Sequence, residues 1–221
     1  MRHGTVKANT FKRALPDLPA EFEAAQEPRS LVDGESVALQ EAHLLDLNAT
    51  NLNIHALRIE GCVLERVQLA GGQFGSATWK DVRLVGCDLA NIKARRMTLL
   101  RVELIDCRLT GLSVTALDWQ DVLIQNGDVR YARFPGGNFR SCEFAASNWQ
   151  ETDLQGADLS GCVFRSCNLS RTDLQGARLQ NADVRQSEVE GLLVAVRDLK
   201  GLIVDPAQAM VLAPLLGIQI K

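Results

Sequence analysis

Aromatic residues make up only 5% of this 221-residue chain, and there are only three histidines, His3, His43 and His55. The histidines are scattered, with neither metal-ligand spacing nor a partner arrangement for nucleophilic catalysis. No stretch approaches the roughly 20 apolar residues of a membrane span, and Met1 to Ala20 lacks an apolar run of signal-peptide length. A soluble cytoplasmic protein with no membrane association is the expectation. Charge of one sign is never concentrated: 24 Lys and Arg mix with 27 Asp and Glu, for a net charge of -3. The sequence shows no basic patch for tracking phosphates, and exposed aromatics for base stacking are few. Direct nucleic-acid binding is therefore not expected. No CxxC, P-loop or dinucleotide fingerprint occurs, so no cofactor and no metal are expected.

What the chain has instead is a period of five. Every fifth residue from Leu39 to Val204, 34 positions in all, is apolar without a slip, through Phe74, Trp79, Trp119, Phe139 and Trp149 among others. A second series stands two residues earlier and is mostly small, as at Gly72, Ala77, Gly127, Ala132, Ala157 and Ala182. Two inward residues separated by one outward residue is the alternation of a short strand. The remaining two residues turn a corner, where Gly156, Gly161, Gly176, Asn181 and Gly191 stand and where such residue types are favoured. A step of five does not match the 3.6-residue period of an α-helix. Stacked coils that satisfy each other's backbone hydrogen bonds are the remaining solution.

The segments Ala157-Asp158-Leu159-Ser160-Gly161, Cys167-Asn168-Leu169-Ser170-Arg171 and Thr172-Asp173-Leu174-Gln175-Gly176 resemble pentapeptide repeats, A(D/N)LXX. The resemblance extends over residues 39–204. It implies an all-β fold, a right-handed quadrilateral parallel β-helix with four pentapeptides per coil. The earlier series departs from the family pattern where it carries Leu47, Leu52, Leu57, Ile92, Met97, Leu112 and Leu117. Volumes compensate: small centres Ala49 and Ala94 follow Leu47 and Ile92, and Phe74 and Phe139 follow Gly72 and Gly137. Close packing of an interior requires this exchange.

Three regions follow: a lead segment at 1–38, the repeat at 39–204 and a C-terminal helical cap at 205–221. Asp205 reads as an N-cap with Pro206 at the first helical position. Met210, Leu212, Leu215, Leu216 and Ile218 are then expected to cover the last coil, with Ile218-Gln219-Ile220 as a final short strand. Arg197 falls on an inward position, so the coil is expected to open there.

All six cysteines, Cys62, Cys87, Cys107, Cys142, Cys162 and Cys167, fall on the earlier series. Disulfides or a metal site compete with small buried core residues, and the placement favours the latter. Asp153 and Asp173 stack one coil apart, on a convex surface where catalytic carboxylates lack a cleft. An enzyme is not expected.

One outer side carries Val63, Val85, Ile105, Leu123 and Val163. An apolar stripe marks a covered or interacting surface: the lead segment, a second copy in a homodimer or another protein. The overall reading is a non-enzymatic interaction or structural module with no identified partner. The chain is most similar to free-standing bacterial pentapeptide-repeat proteins with a short lead and a C-terminal helix ending as Leu216-Gly217-Ile218. The alternative implied by the resemblance is the DNA-mimicking subgroup that binds DNA gyrase and protects it from quinolone-type poisons. Net charge and outward arginines such as Arg83, Arg95, Arg108, Arg133, Arg140, Arg165 and Arg185 make this chain a weak DNA mimic.

Overall fold

A computed structural model describes residues 11–22 and 33–219. The twenty-residue ladder begins at β1 (Ser36–Gln40), which pairs in parallel with β3 (Asn53–Glu65) from Ser36↔Ala56 to Gln40↔Glu60. It thus starts three residues before Leu39, with Val37 packed against the core as another residue of the earlier series. β2 (His43–Leu45) pairs with the far end of β3. β4 (Gln73–Val85), β5 (Lys93–Ile105) and β6 (Ser113–Gln125) stack on β3 in turn, always twenty residues on. The short strands β7 (Asn138–Arg140), β8 (Glu143–Ala145) and β9 (Val163–Arg165) continue the stack, and single bridges carry it to Asp183↔Ile203. All pairings are parallel because each coil repeats the direction of the one before it.

Every centre from Leu44 to Val189 is buried, as is every residue of the earlier series from Leu57 to Leu192. The core is one cluster running the length of the solenoid. Its second half is aromatic: Trp119, Phe134, Phe139, Phe144, Trp149 and Phe164 pack with ring centroids 4.5–6.4 Å apart. The volume exchange holds at atomic level, since a Cβ at Gly72 would lie 2.8 Å from the Phe74 ring.

The corners come in two kinds. Most place one residue at positive φ, two residues after a centre, including non-glycine residues such as Arg66, Arg101, Tyr131 and Ala146. At Ala56, Ser76, Arg96 and Ala116 the strands run on without this left-handed turn, and β3 to β6 reach 13 residues as a result. From Gly136 onward that corner also becomes left-handed. The residue that follows it is large at Leu57, Met97 and Leu117, though small at Ala77, and is always small from Gly137 through Ala157 and Ala177.

The coil opens at Arg197, which lies exposed in a 3₁₀ turn (Val196–Leu199). Helix α1 (Pro206–Leu212) then starts with the expected cap: Asp205 accepts from the Gln208 backbone, and the Gln208 side chain bonds back. The cap works differently from the expectation. Leu212 is buried, but Met210, Leu215, Leu216 and Ile218 are exposed. The helix is pinned instead by Gln208, whose Nε2 donates to the carbonyls of Val184 and Ser187, both at 2.6 Å. Both carbonyls belong to the last coil; that of Val184 also accepts from the Ser187 N–H, and the buried amide adds the donor that an inward side chain of the next coil, such as Ser187 toward Phe164, adds elsewhere. Ile218 and Gln219 form no strand, and Ile220 lies outside the described residues.

Candidate interaction surfaces

The five residues of the proposed stripe lie on β3 to β6 and β9, on the side centred on Leu64, Leu84, Leu104, Ile124 and Phe164. Val63 and Val163 are 9% and 6% exposed, whereas Val85, Ile105 and Leu123 are partly exposed. Charged residues share their columns: Arg83, Glu103 and Glu143 align with Val63, Leu123 and Val163.

Residues 11–22 run along the edge of this side. Arg13 donates to Glu103 at 2.9 Å, and Arg83 donates to the other oxygen of Glu103 at 2.8 Å. The backbone N–H of Ala14 donates to Asp121, and that of Asp17 to Asp81. Phe22 meets the His43 ring with centroids 5.8 Å apart. Glu103 and Asp81 are each only 5% exposed. Burial opposes the charge on Asp81, but the paired Arg101 and the Asp17 N–H more than offset it and hold the carboxyl below the usual range. The earlier part of the lead segment lies outside the described residues, His3 included.

The stacked carboxylates have a structural job. Asp153 and Asp173 accept from the backbone N–H two residues on, at Gln155 and Gln175, over 3.1 and 3.0 Å. Asp158, Asn168 and Asp183 do the same for Ser160, Ser170 and Arg185. This local bond closes the corner and is the physical meaning of the Asp or Asn in each repeat.

All six cysteines are buried and unbridged. Most of them point at the carbonyl of the centre 23 residues earlier, as Cys167 does toward Phe144 at 3.3 Å. Burial pushes the Cys167 thiol up to about 11 and raises Cys62 as well. The neighbouring Cys87 thiol, with burial, pushes Cys107 well above the ordinary range. Such thiols are poor nucleophiles. Among the described residues no group of three or more His, Cys, Asp or Glu is placed to hold a metal ion. No helix among them is long and apolar enough to cross a membrane.

These features define a class: a quadrilateral parallel β-helix filled by side chains and presenting outward ladders. A family model for pentapeptide repeats matches eight copies over residues 128–161 and 147–186, so this part of the chain consists of pentapeptide repeats. Two trypsin-treated variants of QnrB1, a plasmid-mediated fluoroquinolone resistance protein, are similar in structure. One is 22% identical with a TM-score of 0.64, covering 86% of this chain and 98% of that one. The other is 23% identical with a TM-score of 0.54, covering 85% and 99%. At these identities the likeness is one of fold. A comparison with the curated proteins finds no match.

Proposed function

We propose that this chain is a non-enzymatic protein-interaction module. The observation that carries this reading is the continuous side-chain filling of the coil, which keeps charged residues on the outward ladders and buries the thiols in the core. Most of these charged residues are engaged in corner bonds and ion pairs. Catalysis ordinarily needs a concave pocket with convergent polar groups. The partner surface we assign is the side bearing Val85, Ile105 and Leu123, flanked by Val63 and Val163, with residues 11–22 along its edge.

A second reading is binding to DNA gyrase with protection from quinolone-type drugs. The fold likeness to QnrB1, a fluoroquinolone resistance protein, favours it. The extensive neutralisation of outward charge weighs against DNA mimicry. A gyrase supercoiling and cleavage assay, titrated with this protein with and without a quinolone, separates the two. Inhibited supercoiling or rescue from the drug supports gyrase as the partner. No effect at high micromolar protein rejects gyrase. Photocrosslinking from Ile105 then tests the remaining module reading.

A further inference from the structure

Most described Arg and Lys residues lie within 4.0 Å of a carboxylate, usually on the adjacent coil, as in Arg66–Asp46, Arg101–Asp81, Arg108–Asp88 and Arg178–Asp158. Among the described residues the exceptions are Lys12, Arg58, Lys93, Arg95, Arg96 and Lys200. Three of these six, Lys93, Arg95 and Arg96, stand together on β5, and Arg58 lies on β3. The register explains why they have no acid. Lys93 stacks between Gln73 and Ser113, and Arg96 between Ser76 and Ala116. Arg58 stacks between Ala38 and Thr78.

Lys93 and Arg95 line a groove of about 550 Å³ on the face before the extended corner, and Arg96 stands at that corner. Asn53, Gln73, Ser113 and Thr115 line it with Lys93 and Arg95, and no carboxylate does. Its floor is low at Gly75, where a Cβ would meet the His55 carbonyl at 2.4 Å. Lys93, Arg95 and Arg96 are neighbours in the sequence, and only the register shows that no acid stacks beside Lys93 or Arg96.

We propose that this groove docks an acidic segment of a partner protein, a proposal that rests on the interaction-module reading. Lys93 and Arg95 flank one inward residue, so their stems leave the strand about 7 Å apart. Carboxylates at alternate positions of an extended peptide have the same spacing. Guanidinium groups can hold them in a bidentate fashion, and the amides and hydroxyls of the lining supply further hydrogen bonds. A nucleic acid laid along the rod fits poorly. The column through Gln73, Lys93 and Ser113 continues to Arg133, Asp153 and Asp173, turning acidic within a few coils.

Fluorescence anisotropy of the full chain with a labelled Glu-Ser-Glu-Ser-Glu-Ser peptide, and separately with duplex DNA, tests this. The peptide is expected to bind and to weaken as salt rises. The double substitution Lys93→Glu with Arg95→Glu is expected to weaken it at least about tenfold. Arg178→Glu, outside the columns of Lys93 and Arg95 and about four coils away, leaves it unchanged, and Arg95→Gln serves where the double variant fails to fold. Equal peptide binding by the wild type and the groove variants overturns the proposal. Absence of peptide and DNA binding overturns the groove alone. DNA binding in place of peptide overturns the interaction-module reading as well.

Discussion

Thr172 sits at an inward position, and its Oγ1 donates to the Trp149 carbonyl at 2.9 Å. Thr152, Ser147 and Ser187 reach carbonyls of the preceding coil in the same way, 23 residues earlier. Polar residues enter this core because each finds at least one acceptor, and cysteine is the weaker member of the same set. Thr172→Val keeps the volume and deletes the donor. It is expected to destabilise the fold by about 1–2 kcal/mol, and a urea midpoint equal to wild type would show that the bond contributes nothing. The corners supply the opposite case. Ala146 holds φ at 48° with no polar side chain to compensate, in a region that strains L-residues by roughly 1–2 kcal/mol. Ala146→Gly relieves that strain and loses part of the gain to the greater freedom of its unfolded chain. A net stabilisation of about 0.5–1 kcal/mol is expected, seen as a higher Tm.

Among the elements, the segment 11–22 depends on groups it does not contain. Glu103 receives both Arg13 and Arg83, and the side chains of Arg13 and Glu103 are equally hidden. An unpaired buried charge costs several kcal/mol within a core, but this segment can peel into water, so its own docking energy caps the loss. Glu103→Ala is therefore expected to release the segment with little change in global unfolding. Tryptic cleavage after Lys12 or Arg13 should speed up by about tenfold or more, equivalent to roughly 1.4 kcal/mol of local opening. A wild-type cleavage rate would show that Glu103 does not hold the segment. The extended corners act at the same scale, since they lengthen β3 to β6 and border the face with the basic groove.

For the whole molecule, stacked ion pairs bind coil to coil, so stability follows the carboxylates. Within single coils, Arg130 lowers the Asp128 carboxyl by hydrogen bonding, and Arg185 does the same for Asp183. Asp81 is also lowered, against its burial. A carboxyl with a depressed folded value stabilises the fold fully above its unfolded value near 4. That contribution is lost as pH falls through the lower folded value. The urea midpoint is expected to hold down to about pH 5 and to fall below about pH 4, with a shallower fall in Asp81→Asn. A midpoint that does not change with acid would show that these pairs contribute no net stability.

The five-residue register, the buried centres, the small earlier series and the Asp205–Pro206 helix start were all legible in the sequence, because each is a local rule repeated along the chain. The N-terminal end of the ladder was misplaced by three residues, since Ser36 is held by pairing and not by an apolar centre. Gln208 as the true pin of the cap could not be read, because its acceptors belong to residues 184 and 187. The stripe of Val63, Val85, Ile105, Leu123 and Val163 follows from the period, yet Arg13 meeting Glu103 across 90 residues does not. The tertiary structure alone decided which charges are neutralised. An outward residue's partner is set by what stands twenty positions away, and Arg101 finds Asp81 there where Lys93 finds Gln73 and Ser113.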